Sequence, residues 1–345
     1  MDAVLTALVE EKIGPGERSK FLVQTAREKI KFDYCLALRS PALALYLALK
    51  SLNWEKGQAV IVSALSPLYY ERVLRDLGLE IIYCDVSSST ACMSRESLDK
   101  AMSLKPKDLE VRCIVLHHTL GYLSDTASIA EPGIPVIEDC SRSYGTTVAE
   151  NSPDQTVEPA TAAATASLFT ILGLEERDML TCGGGALLYS QNRRDSSLLR
   201  EMGNLPPEFG LPDMNAALAA VQFREAAKNL QKRREIAGFY TQSALRTRHK
   251  TIVQQDLQNR TIEYNNYAFP LVLEQGVKEV KAYAKRKDIE VDNAFDNTLI
   301  SNGLAAPEQC PEAYSLSLRT VLFPIYPRLR ISDAEKVAKL IQTLP

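Results

Sequence analysis

The chain has 345 residues, 46% of them hydrophobic and 24% charged, with a formal net charge of −3. That is length for one large and one small domain, and the mildly acidic balance gives no support for nonspecific nucleic-acid binding. Seven cysteines without a CxxC pair and only three histidines argue against a disulfide framework and a zinc site, and no apolar run reaches membrane-spanning length.

In chain order, Met1–Leu5 lacks the basic region and long apolar core of a signal peptide, so a cytoplasmic location is expected. Helical patterns cover Ala42–Leu52, Tyr69–Leu77 and Arg95–Ser103. Between and after them, apolar runs predict strands at Ala59–Val62, Glu80–Cys84, Val111–Leu116, Ile134–Ile137, Ala166–Ile171 and Gly185–Tyr189. These runs are apolar on both faces, as in a mostly parallel sheet covered by helices, and the alternation predicts a three-layer α/β domain. The Pro/Thr/Glu-rich Ala149–Ala160 reads as an exposed loop. A long helix rich in Ala, Gln, Glu, Lys and Arg is predicted over Met214–Leu245. The remainder reads as a smaller α+β domain, which divides the chain into 1–240 and 241–345. Its last helix is expected to start at Ser332–Glu335, a capping-box spacing.

One feature of composition is local: no lysine occurs from Asp108 to Ala227. The stretch contains Ile134–Asp139, Ser143–Gly145, Ser167–Thr170 and the Gly-rich Cys182–Leu188. By their residues they read as two buried strands, a turn with an acidic tip, and a turn into a third strand.

These segments carry a resemblance. The chain resembles the DegT/DnrJ/EryC1/StrS aminotransferases, fold-type-I pyridoxal-phosphate (PLP) enzymes that aminate nucleotide-linked keto sugars. The matching pieces are Gly57–Val62, Gly78–Asp85, Leu116–Gly121, Val136–Asp139 with Gly145, Asp213–Gln222, and Cys310–Ala313 with Leu322–Pro327. The resemblance implies a seven-stranded, three-layer α/β domain with a small C-terminal α+β domain.

At the site it implies cofactor contacts from Asp139, Arg142, Thr170 and Ser40. Asp139 falls where the family's aspartate pairs with the pyridine nitrogen; by its own residue chemistry it also suits capping a helix start or pairing with Arg142. Arg142 replaces a family Gln near the ring's phenolic oxygen. Thr170 resembles the phosphate-contacting serine of the family's strand. Ser40, with Pro41 and Ala42, replaces the phosphate-cradling Ser-Gly-Thr; Pro41 has no N–H and Ala42 no hydroxyl. The triplet still suits a helix start, with Ser40 as N-cap and Pro41 in the first turn. Pro67 falls at the position of the ring-stacking aromatic, and the adjacent Tyr69 and Tyr70 read as packing or surface residues. The family's Schiff-base lysine maps to Glu175, Glu176 or Arg177, none of which forms an imine. The family's Asn-x-Arg-Met segment, reaching from a partner subunit, reads here as Glu208–Leu211.

Together these departures imply a degenerate, non-transaminating relative with no catalytic residue, no metal and no covalent cofactor. It is expected to bind or assist in nucleotide-sugar or polysaccharide biosynthesis, as a homodimer or as a heterodimer with a lysine-bearing paralogue. Its ligand would be a small anion or nucleotide sugar. The alternative is an enzyme using PLP, or its pyridoxamine form PMP, without a covalent tether.

Overall fold

A computed structural model describes residues 2–150, 157–159, 167–202, 204–254, 260–274 and 276–345. Seven strands form the central sheet: β1 Tyr34–Leu38, β2 Ala59–Ser63, β3 Glu80–Cys84, β4 Val111–His117, β5 Val136–Asp139, β8 Phe169–Gly173 and β9 Ala186–Ser190. Their order is β1-β9-β8-β5-β4-β2-β3. Pairing is parallel from β8 to β3, and β9 is antiparallel to both neighbours, so it alone runs against the rest. The residues of β2, β5, β8 and β9 are buried throughout, which is why they lack the alternation of a half-exposed sheet.

Six of the seven strands follow the apolar runs in the sequence. The seventh, β1, does not: Tyr-Cys-Leu-Ala-Leu is short and only partly buried, and Ala and Leu favour helices. It becomes a strand because it pairs along the whole of β9, from Tyr34↔Ser190 to Leu38↔Ala186.

The helix Pro41–Lys50 starts as the sequence requires, with Ser40 Oγ accepting from Leu43 N at 3.2 Å and Pro41 in the first turn. Two expectations are corrected. The last helix spans Ile331–Gln342 with Arg330 at the N-cap and no side-chain cap, so Ser332 already lies inside it. Arg330 is extended and the chain turns helical directly after it, leaving Asp333 in the first turn to complement the helix dipole. The segment Ala149–Ala160 is not wholly loop. Strands β6 (Thr147–Glu150) and β7 (Val157–Pro159) pair antiparallel, and β11 (Arg260–Glu263) extends them on the other side of β6. The intervening 151–156 and residue 160 lie outside the described residues.

The long helix is Asp213–Ala244, 32 residues and so about 48 Å. Its first half, through Ala216, Ala219, Ala220 and Phe223, packs against Leu172, Leu187 and Tyr189 of the central sheet. Its last turns, through Ile236, Ala237, Tyr240 and Ala244, enter a separate core with Leu271, Val321 and Ile341. That second core covers a four-stranded sheet ordered β10-β12-β14-β13, from Lys250–Thr251, Phe269–Val272, Thr320–Phe323 and Asp292–Asn293. Among the described residues no helix is long and apolar enough to cross a membrane.

At its start the long helix also holds the N-terminal region. The helix Glu17–Arg27 has Gly16 at its N-cap and no side-chain cap of its own. Asp213, 4% exposed, supplies one: Oδ1 accepts from Gly16 N (2.9 Å) and Ser19 N (2.9 Å), and Oδ2 from Arg18 N (3.1 Å). Three otherwise orphaned N–H groups are satisfied by one carboxylate nearly two hundred positions away. Asp213→Ala is therefore expected to cost about 2–4 kcal/mol, more than an ordinary cap, because the donors stay partly buried. Urea unfolding at unchanged slope measures it; a loss below about 1 kcal/mol would show that water replaces the clamp.

Candidate functional site

The parallel strands β4 and β5 end in register at His117↔Asp139. Their carboxyl ends open into a cavity of about 710 Å³ walled by Pro67, Tyr69, His117, Asp139, Arg142 and Asp178, among others. This is where an α/β sheet ordinarily places a ligand.

Asp139 is buried at 1% exposure and its carboxylate is fully engaged by the protein. Oδ1 accepts from Ser141 N at 3.0 Å and from the Ser141 hydroxyl in a short contact. Oδ2 accepts from Tyr70 OH at 2.7 Å and Tyr69 OH at 3.3 Å, and His117 Nδ1 lies 3.5 Å away. Burial opposes ionisation of Asp139, but the donors His117, Ser141 and Tyr70 hold it well below the usual carboxylate range. Burial also keeps His117 below its ordinary value, so the imidazole is neutral at pH 7. Burial and then the Asp139 charge push both tyrosine hydroxyls far up, so they act as donors.

Tyr69 and Tyr70 reach Asp139 because they open the helix Tyr69–Asp76 just beyond the carboxyl end of β2, and side chains in a first turn lean back past the helix start. The sequence reading of the pair as packing or surface residues is thus incomplete: their rings pack edge-on at 5.0 Å while their hydroxyls serve the carboxylate. No helix starts after Asp139, so the helix-capping reading is corrected: its Oδ1 accepts from Ser141 N within a turn. The Asp139–Arg142 ion pair does not form. Arg142 makes no side-chain hydrogen bond or ion pair among the described residues; its guanidinium sits 5.6 Å from the centre of the Tyr267 ring.

Asp178 is the group the sequence reading passed over. It closes the loop after β8, where Oδ2 accepts from Glu175 N at 2.8 Å. A Cβ on Gly173 would collide with the Asp178 carboxylate and come 2.7 Å from Ser141 Oγ, so glycine there lets the carboxylate settle against the Asp139 cluster. Burial, reinforced by the nearby Asp139 charge and opposed by the Glu175 N–H, pushes Asp178 up to about 7. No pattern in Leu174–Asp178 signals this, because the seat is made by Gly173 and Ser141. Of the three candidates for the lysine position, Glu176 and Arg177 are exposed, and Glu175 turns back to accept from Gly185 N at 3.4 Å.

Thr170 is placed elsewhere. It pairs in register with Glu138, one residue before Asp139 and so on the opposite face of the sheet, and lies 3.4 Å from Ser167 Oγ. It does not line the cavity. Ser40 caps its helix, and its neighbour Pro41 reaches the cavity wall. On Thr170's face, His118, Glu138 and Cys140 offer nitrogen, oxygen and sulfur atoms within 4.8 Å of one another. Ser124 N donates to His118 Nδ1 at 3.3 Å, which leaves the ring proton on Nε2, 3.6 Å from Glu138 Oε1. That tautomer makes the trio a polar network of the core, with Glu138 also accepting from Thr126.

A second, adjoining cavity of about 790 Å³ shares Arg142, Arg177, Asp178 and Asn297 with the first and extends over the long helix and β13–β14. Among the described residues no lysine lines either cavity.

Solved structures resemble this chain over nearly its whole length, and curated relatives over part of it. The L-glutamine:2-deoxy-scyllo-inosose aminotransferase of Streptomyces fradiae is 27% identical over 235 residues, 67% of this chain and 51% of that protein, so the match spans about half of that relative. A DegT DnrJ EryC1 StrS aminotransferase of Brucella abortus superposes with a TM-score of 0.83 at 18% identity, covering 99% of this chain and 94% of the other. The GDP-4-keto-6-deoxymannose-3-dehydratase ColD superposes with a TM-score of 0.79 at 16% identity, covering 99% and 96%. At such identities the structural likeness shows the fold: the type-I PLP transferase architecture, with its mostly parallel central sheet and smaller C-terminal α+β part. The sequence profile of the DegT/DnrJ/EryC1/StrS aminotransferase family matches residues 1–342, and the chain belongs to that family.

Proposed function

We propose that this chain is a non-transaminating member of its family that tethers no pyridoxal phosphate and acts as a binding or accessory protein in nucleotide-sugar or polysaccharide biosynthesis. The absence of lysine from both cavities carries the reading. An imine needs an uncharged amine within bonding reach of the aldehyde, and the site offers carboxylates and guanidinium groups instead. The residues present do not fit the tethered cofactor in two further respects. Asp139 is already engaged by Tyr69, Tyr70 and Ser141, so a pyridinium would have to displace at least one of them. The helix start at Pro41 lacks an N–H for the phosphate, and Thr170 lies across the sheet. We likewise read the chain as two units dividing near residue 240.

The test is a visible spectrum of the purified protein with added pyridoxal phosphate, followed by borohydride and peptide mapping. We expect no aldimine band and no reduced adduct in either cavity; an adduct mapped there would overturn the reading. The protein is purified alone so that no other subunit supplies the amine. An adduct formed only on co-expression with a lysine-bearing relative would assign the accessory-subunit role.

A second reading has one observation in its favour. Asp178, pushed up to about 7 beside Asp139, has the acidity of an acid–base group, which suits an enzyme that uses PLP or PMP untethered on a nucleotide-linked keto sugar. Calorimetric binding of pyridoxamine phosphate at micromolar concentration, lost on Asp139→Asn, would favour this reading over the first.

A further inference from the structure

We infer that the cavity at the ends of β4 and β5 is an oxyanion site, anchored by Arg142 and gated by protonation of Asp178. The inference rests on the reading that no cofactor is tethered there. The geometry supplies donors that lack acceptors. Arg142 has five N–H groups and no hydrogen bond or ion pair among the described residues, only the Tyr267 ring beneath it. His117, 1% exposed on the same wall, adds no donor: its neutral ring turns Nδ1 toward Asp139, which leaves a lone pair on Nε2. Polar groups at this depth ordinarily find partners, and a planar guanidinium left open in a cavity suits a carboxylate, sulfate or phosphate.

The nearest acids decide when such an anion enters. Asp139 is engaged by its own donors and does not neutralise Arg142 through a contact. Asp178 faces the same space. With Asp178 ionised, Arg142, Asp139 and Asp178 carry a net negative charge that repels an anion. When a solvent proton binds the Asp178 carboxylate, that charge is cancelled and an O–H donor appears.

The groups packed around Asp178 leave it as the switch. Glu175 and Arg177 come from its own loop, Ser141 and Arg142 from the turn after β5, Tyr69 from the helix after β2, and Cys182 from the Gly-rich turn. Tyr69 is pushed far up, Cys182 is pushed up to about 12, and His117 is lowered, so none of these three changes charge near pH 7. A cavity of about 710 Å³ exceeds what a free inorganic anion fills, which favours an anion carried on a larger molecule.

The experiment is calorimetric titration of the full-length chain with sulfate, which does not titrate near neutrality, at constant ionic strength. Sulfate is expected to bind saturably at about pH 6 and roughly thirtyfold more weakly at about pH 8.5, following the fraction of protonated carboxyl. Arg142→Gln should lose binding at both pH values while its circular dichroism and melting stay native, and Arg142→Lys should recover part of it. Asp178→Asn should bind with no pH dependence across that range. Glucose 6-sulfate separates the sources: tighter binding than sulfate marks a sugar-borne anion, and equal binding a free one, either being consistent with the site. No saturable binding at about pH 6, binding that survives Arg142→Gln, or an unchanged pH dependence in Asp178→Asn would each overturn the inference. Absence of sulfate binding without a borohydride adduct sinks this inference alone; a cavity adduct removes the reading beneath it.

Discussion

Asp139→Ala is expected to lower the folding free energy by about 3–5 kcal/mol, the range for removing one side of a buried charged network. The variant leaves Tyr70 OH, Tyr69 OH, Ser141 N and the Ser141 hydroxyl facing an apolar methyl group. Tyr70 is wholly buried, so water cannot readily take over. Asp139→Asn keeps one acceptor oxygen but turns an NH₂ toward either the tyrosines or the serine, and should cost about 1–2 kcal/mol. Equilibrium urea unfolding of the three proteins at pH 7 measures both. If Asp139→Ala loses less than about 1 kcal/mol, the carboxylate is held for a ligand and not for the fold. Asp139 has a second signature. Its folded-state value lies below the unfolded one, so its stabilisation is present above the usual aspartate range and is lost as pH falls through and below it. The Ala variant should lack that acid-side loss.

Asp178→Asn is expected to change stability in the opposite sense. The carboxyl titrates near pH 7 in the folded chain and near its ordinary value of 3.8 when unfolded. Between those values the folded state holds a proton that the unfolded state has released, so this group lowers stability as pH rises from about 4 to about 7. Above about pH 7 the full penalty applies. Asparagine removes the charge and keeps an oxygen for the Glu175 N–H, so the variant should be the more stable protein by about 2 kcal/mol at about pH 8. That figure is set below the full shift because the side chain is partly exposed. The two proteins should converge near pH 4. Thermal unfolding across this range is the measurement, and a constant difference at every pH would mean that Asp178 does not titrate as placed. Higher stability of the variant alongside anion binding that no longer depends on pH would mark Asp178 as retained for gating at the expense of the fold.

The central sheet was legible because buried parallel strands write themselves as short apolar runs, and Ala59–Ser63 and Val111–His117 needed no other signal. Ser40 and Pro41 marked a helix start by local chemistry alone, since a cap depends only on residues within one turn. The absence of lysine between Lys107 and Lys228 is likewise complete in the sequence. The failures share a different cause. Tyr34–Leu38 is a strand only because β9 lies beside it, and Ser332 misses its capping role because the chain before it enters the helix earlier.

The division at the site follows the same line. Residue types, the strand ends that carry them and the lysine-free stretch 108–227 are properties of the sequence by itself, because each is local. Which groups meet was decided by tertiary structure alone. Tyr69 and Tyr70 converge on Asp139 from seventy positions away, Thr170 is turned to the opposite face by the two-residue period of its strand, and Asp178 finds a seat only because Gly173 has no side chain. A carboxylate's acidity depends on the groups within a few ångströms of it, and the packed fold, not the order of residues, sets those distances.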